Sequence, residues 1–148
     1  MQSPWANVKD LAARILSRSH EQLFRATKGR IGGTGFGMPV LMLGTIGRKS
    51  GKLRTTMLTS PVQEGDTLVL VASYGGDNRH PTWFLNLRDN PAVEVTMRGS
   101  TRKMKAHVAS IDEKARLWPK VTEKYGGYAA YQRRTDRDIP LVILEPAV

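Results

Sequence analysis

Four cations crowd one short stretch, GRKSGKLRTT, in which Arg48, Lys49, Lys52 and Arg54 surround Gly51 and follow Gly47, directly after the apolar run PVLMLGTI. A cluster of this kind on a turn binds anions, because a ligand with several negative groups gains from several cations in one groove. A second stretch, ASYGGDNRHP, follows another apolar run. Its Gly75 and Gly76 allow close approach to the backbone, and exposed amides there suit carbonyl or phosphate oxygens. A third set, Tyr125, Tyr128 and Tyr131, offers flat aromatic faces and hydroxyl donors. Together the three suit a flat, anionic cofactor. Other chemistries are excluded. GRKSGK is one residue short of the phosphate loop G-x-x-x-x-G-K-[ST], and Leu53 stands where that motif needs a hydroxyl. His20, His80 and His107 have no second ligand near them in sequence, so no metal site is expected and His80, beside Pro81, reads as structural. There is no cysteine nucleophile or disulfide and no G-x-S-x-G elbow.

These residues need a scaffold. At 148 residues and 40% hydrophobic, the chain fits one domain with one core. The net charge of +10 is concentrated: no acid falls between Glu21 and Glu64, whereas Arg25, Lys28, Arg30 and the four cations of the turn do. Such a field attracts nucleic acid, anionic lipid or a polyanionic small molecule alike. Ser3 and Pro4 form a cap and first-turn pair, and Trp5, Val8, Leu11, Ile15, Leu23 and Phe24 recur at helical spacing, so residues 4–26 read as a basic amphipathic helix. GRIGGTGFG (29–37) reads as a flexible connector. Residues 39–46, 53–62, 67–73, 92–98, 101–110 and 139–145 are apolar or alternating, which predicts six strands in antiparallel hairpins, with turns at 47–52, 64–66 and Gly99–Ser100. Residues 80–91 should hold a short helix stopped by Pro91. A second, over 111–125, has Asp112 as its cap and is interrupted or kinked at Pro119. Lys9, Asp10 and Arg14 break the first apolar stretch, so neither a secretory signal nor a spanning helix of roughly 18 apolar residues is expected.

The blocks TIGRKSGKLRTT, VASYGGDNRHPTWFLNLRDNPAVEV and YGGYAAYQRRTDRDIPLVILEP, in this order from about residue 39 to the end, are similar to those of the deazaflavin-dependent nitroreductase family. The resemblance implies an α+β fold, mainly an antiparallel split β-barrel of the FMN-binding type with flanking helices. Residues 1–30 would form an N-terminal helix and the start of a linker, and residues 31–148 the barrel, as a single domain overall. It implies an oxidoreductase that transfers a hydride from reduced coenzyme F420 to a quinone such as menaquinone, an activated enone or a nitroaromatic. Arg48, Lys49, Lys52 and Arg54 match the strand-turn-strand that holds the cofactor's phosphodiester and oligoglutamate tail. Ser73, Tyr74, Gly75 and Gly76 match the segment beside the ring, Trp83 a wall of the ring pocket and Asn86 a polar brace. Tyr125, Tyr128 and Tyr131 match the substrate side, with Tyr128 or Ser73 as the catalytic proton donor. Met57 and Thr59 depart from the proline and aromatic residue found there in many relatives.

The expected partner is a small-molecule acceptor and not nucleic acid, the expected state a monomer or weak oligomer, and the expected place the cytoplasm. The N-terminal helix adds a second expectation, a peripheral position on the anionic inner face of the membrane. Two other readings stay open: a nucleic-acid-binding basic barrel, and a split barrel that binds FMN or haem.

Overall fold

The computed structural model describes residues 21–30 and 33–147. Within them the apolar runs form eight antiparallel strands: β1 (Thr34–Gly35), β2 (Met38–Ile46), β3 (Leu53–Thr59), β4 (Val62–Glu64), β5 (Thr67–Val71), β6 (Ala92–Met97), β7 (Ser100–Val108) and β8 (Leu141–Pro146). They make one curled sheet in the order β1-β2-β6-β7-β8-β5-β4, with β3 paired to β2 off that path. The helices are α1 (residues 21–27 as described), α2 (Thr82–Asp89), α3 (Ile111–Lys124) and α4 (Gly127–Arg133). The architecture is α+β as expected, with the antiparallel strands of the expected split barrel forming a curled half-barrel sheet and helices flanking it.

Two of the eight strands depart from the expected six, each for a local reason. The 53–62 run breaks at Ser60–Pro61, because proline cannot donate to a ladder. Fully buried Ser60 fixes the corner: its N–H donates to the Pro39 carbonyl, and its hydroxyl lies 3.0 and 2.8 Å from the carbonyls of Val62 and Val69. The 29–37 connector is in part a hairpin. Thr34 and Gly35 pair with Pro39 and Met38 across a two-residue turn, Phe36–Gly37, with φ of 52° and 75°. Two consecutive left-handed residues make a turn whose twist matches that of paired strands. The same geometry recurs at Arg98–Gly99 (φ 50° and 84°), so this turn lies one residue before the expected Gly99–Ser100 and Ser100 pairs with Met97.

Strand alternation fills both faces of the sheet. Leu68 and Leu70 of β5 and Val142 and Leu144 of β8 join one cluster with Leu41, Leu43, Trp83, Phe84 and Leu87. Val69, Val71, Leu141 and Ile143 join another with Leu117, Val121 and Tyr128. Strands covered on both sides read as continuous apolar runs, as these do. Phe24 of α1 is fully buried in the first cluster, so this part of the amphipathic helix packs on the barrel. The helix positions before residue 21, Trp5 to Ile15 among them, lie outside the described residues.

The cap of α3 is Ser110 and not Asp112. The Ser110 hydroxyl accepts from the Glu113 N–H, and the Glu113 carboxylate accepts from the Ser110 N–H, a capping box worth about 1 kcal/mol. α3 runs through Pro119 to Lys124, held by fully buried Leu117 and Val121 on either side.

Candidate active site

A cavity of about 940 Å³ opens between the β2–β3 hairpin, the loop after β5, the start of α2, α4 and the β1–β2 tip. One end is cationic. The hairpin turn closes through Gly47 N–H to the Lys52 carbonyl and Gly51 N–H to the Gly47 carbonyl, both 2.8 Å. Gly51 sits at φ 70°, which only glycine adopts without strain, and at Gly47 a Cβ would come 2.6 Å from the Ser50 hydroxyl, so a side chain there would have to displace Ser50. Asn86 of α2, 2% exposed, braces the turn: its Oδ1 accepts from the Arg48 backbone N–H (3.1 Å), and its amide donates to the Thr45 hydroxyl (3.2 Å). Arg48, Lys49 and Arg54 line the cavity, with Ser50, Thr55 and Thr56 between them; Lys52 is exposed and does not. Among the described residues no carboxylate pairs with any of these four cations.

The middle of the cavity is a strained loop. Tyr74, Gly75 and Gly76 lie in succession at φ of 44°, 63° and 84°, a conformation natural to glycine and strained for tyrosine. Among the described residues the N–H groups of Tyr74 and Gly75 and the Ser73 hydroxyl have no hydrogen-bond partner. Gly76 does not line the cavity. It packs under α4, where a Cβ would come 2.8 Å from the Tyr131 carbonyl. Trp83 and Pro81 form the adjoining wall.

Arg137 holds this loop in place. Its guanidinium donates to the carbonyls of Asp77 (2.9 Å), Ala72 (3.2 Å) and Ser73 (2.8 Å) and lies 3.3 Å from His80 Nδ1. Burial, then the charges of Arg137 and Arg88, holds His80 below its ordinary value of 6.5. Neutral His80 can accept from Arg137, whereas protonated His80 cannot.

As pH falls through about 6.5 the unfolded chain takes up this proton before the folded one, so the folded state loses stability on acidification and gains nothing from this group above that range. The melting temperature is therefore expected to fall between pH 7.5 and 5.5, and His80→Gln, which keeps an acceptor without the titration, should flatten that slope. Equal slopes in both proteins would dismiss His80 as the cause.

The far end is aromatic. Tyr131, Tyr128, Tyr125 and Phe36 follow one another with ring centroids 6.2, 5.1 and 5.4 Å apart. Tyr128 is buried, and its hydroxyl lies 3.1 Å from that of Thr59 and 3.8 Å from the Met38 sulfur. Burial pushes the Tyr128 phenol up, against a smaller opposing effect of Thr59, so it keeps its proton at neutral pH. The Tyr131 hydroxyl likewise pushes Tyr125 up.

The expected residues thus converge on one cavity, save Lys52 and Gly76. Sequence reasoning gives no role to Phe36, Met38, Thr55 and Thr56 on the lining, to the partnership of Thr59 with Tyr128, or to Arg137, although Thr55, Thr56 and Arg137 fall inside the blocks quoted above. Among the described residues no group of three or more histidines and acids could hold a metal, and no helix is long and apolar enough to cross a membrane.

Comparison with known proteins points the same way. A family model described as F420H(2)-dependent quinone reductase matches residues 16–146. An F420H(2)-dependent quinone reductase of Mycobacterium tuberculosis (strain H37Rv) is 43% identical over 136 residues, 87% of this chain and 89% of the relative. A solved F420-H2 dependent reductase (FDR-A) is 38% identical, with a TM-score of 0.66 over 72% of this chain and 94% of its own. A domain-swapped dimer is 34% identical, with the same TM-score of 0.66 over 97% of this chain and 100% of its own. With a family model matching residues 16–146 and a relative 43% identical over 87% of the chain, the chain belongs to the F420H2-dependent quinone reductase family.

Proposed function

We infer that the chain transfers a hydride from reduced coenzyme F420 to a quinone. The observation that carries this reading is the polarity of one cavity: at one end cations that have no carboxylate partner among the described residues, at the other tyrosines, and between them a loop whose N–H groups have no hydrogen-bond partner among those residues. The residues fit the cofactor. Arg48, Lys49 and Arg54 would take the phosphodiester and the first glutamates of the tail, and Lys52, outside the lining, would meet groups that extend past the rim. The N–H groups of Tyr74 and Gly75 and the Ser73 hydroxyl would donate to ring carbonyls, and Trp83 would cover one side of the ring. Gly76 serves by packing alone, since a side chain there would push Tyr131 and the loop apart.

When bound, the reduced deazaflavin supplies two electrons as a hydride. A quinone that takes up a hydride becomes a hydroquinone anion, and one proton completes its reduction. Tyr128 is suited to give that proton: its phenol stays protonated, and Thr59 orients its hydroxyl. Ser73 is the second donor. Tyr125 and Tyr131 hold the acceptor ring against Tyr128.

Tyr128→Phe is expected to slow the chemical step roughly 100-fold with cofactor affinity unchanged, measured by single-turnover oxidation of the reduced cofactor. Unchanged turnover would assign the proton to Ser73 or to solvent. The same relatives favour a quinone over the enone and nitroaromatic acceptors, and they do not favour the nucleic-acid, FMN or haem readings.

Three further elements belong to this proposal. The chain acts as one domain, residues 1–30 together with a barrel of 31–148, and within the described residues Phe24 packs in the barrel's core. It is a monomer or weak oligomer, and a mass of two chains in light scattering at working concentration would remove that expectation. The apolar residues ahead of Phe24 would seat it on the anionic inner face of the membrane, and absence from sedimented anionic vesicles would remove that one.

A further inference from the structure

Phe36 is out of place for its turn. It stands at φ 52° with 79% of its surface exposed, where asparagine or glycine would satisfy the backbone without exposing an apolar ring. The hairpin explains the positive φ and leaves the aromatic ring unexplained. Strain and exposure at one residue beside a cavity point to use. The ring lines the cavity and lies against Tyr125, centroids 5.4 Å apart at 32°.

Its place in the aromatic row decides what it can touch. Tyr128 is 6% exposed, Tyr125 is half-buried and Phe36 is outermost, so the row runs from the interior to the mouth. Phe36 also sits at the opposite end of β2 from the basic turn. β2 spans Met38–Ile46, which separates the two by roughly 25 Å at the usual rise per residue. A ligand whose charged tail lies on Arg48, Lys49 and Arg54 does not bring that tail to Phe36. The group that reaches Phe36 belongs to the acceptor, and to the part of it that leaves the cavity when its reacting ring lies beside Tyr128.

We propose that Phe36 and Tyr125 form a subsite at the mouth of the cavity for an apolar substituent on the quinone, and that Phe36 sets the preference for tailed over bare acceptors. The subsite rests on the quinone reading above. Met38 and Val40, on the same strand and lining the same cavity, continue the apolar surface inward. No charged group is needed for such a substituent, and burial of its hydrocarbon against two rings supplies the selectivity.

The test uses Phe36→Asn, which keeps a residue at ease in the left-handed turn, and Phe36→Trp, which restores an aromatic surface. The full chain with reduced coenzyme F420 is given 2-methylnaphthoquinone and the same quinone carrying a short isoprenyl chain. Binding of the tailed quinone to the cofactor-free protein is followed separately through tryptophan fluorescence. In Phe36→Asn, KM and Kd for the tailed quinone should rise about tenfold, as expected when one ring no longer covers the substituent. KM for the bare quinone and cofactor affinity should stay within about twofold of the parent, and Phe36→Trp should recover the tailed values. Equal changes for both quinones, or no change, would overturn the subsite while wild-type turnover kept the quinone reading intact. Failure of the wild-type protein to reduce either quinone would overturn the quinone reading and the subsite with it.

Discussion

Lys49→Ala together with Arg54→Ala weakens cofactor binding on the order of 100-fold, about tenfold for each cation removed from the tail, while the melting temperature stays where it is. The two halves of this result have separate causes. Neither side chain has a carboxylate partner among the described residues, so the fold loses no ion pair when they go. The turn itself closes through backbone groups of Gly47, Gly51 and Lys52 and is braced by Asn86, none of which is changed. Exposed charges act through screened fields, with a Debye length of about 8 Å at physiological salt. Raising the salt concentration should therefore weaken wild-type binding steeply and the double variant's binding little. Isothermal titration at two salt concentrations checks both points. An affinity within threefold of wild type, or a collapse in stability, would remove these side chains from the tail site.

Arg137→Met has the second large effect, and it falls on stability first. The guanidinium serves three carbonyls and His80 from a half-buried position, and its removal takes the donor from the carbonyls of Ala72 and Asp77, while that of Ser73 keeps the Gly76 N–H. Hydrogen bonds to a charged group contribute about 1.5 to 3 kcal/mol each when buried, and water reaches part of this site. A loss of roughly 3 kcal/mol follows, or about 6–12 °C in melting temperature for a domain of this size. Arg137→Lys should recover little of it, because one ammonium cannot span the fork. The same loop carries the left-handed Tyr74 and Gly75, so the cofactor's affinity should also fall in Arg137→Met, and its bound-state absorbance should shift where a purely distant destabilisation would leave it unchanged. A melting temperature within about 2 °C of wild type would show that the loop holds itself.

The parts of this site that can be read in the sequence are those in which chemistry and local pattern coincide. The cations of GRKSGK are adjacent in the chain, and the alternation on either side places them on a hairpin turn. That Lys52 leaves the cavity cannot be read there, because successive side chains of a closed turn fan to different sides. Gly75 and Gly76 look alike in sequence, yet one carries an open N–H and the other fits under Tyr131. The two short strands hide for a related reason: Thr34–Gly35 and Val62–Glu64 are too brief to show a period, and their pairing depends on Met38, Pro39 and β5. Partnerships across the fold are further out of reach. Thr59 meets Tyr128 across 69 residues and Arg137 meets Ala72 across 65, and nothing local marks either pair. Thr59 is visible only as a departure from the family pattern, and the structure gives that departure a hydrogen-bonding role.

The most direct measurement is a single turnover: reduced coenzyme F420 is bound to the full chain, a naphthoquinone is added, and the return of the oxidised cofactor's absorbance is followed in time. The expected result is saturable binding of one cofactor per chain and rapid, quinone-dependent oxidation that does not occur without the protein. Failure of the reduced cofactor to bind, or binding with no oxidation by any quinone, would contradict hydride transfer to a quinone in this cavity.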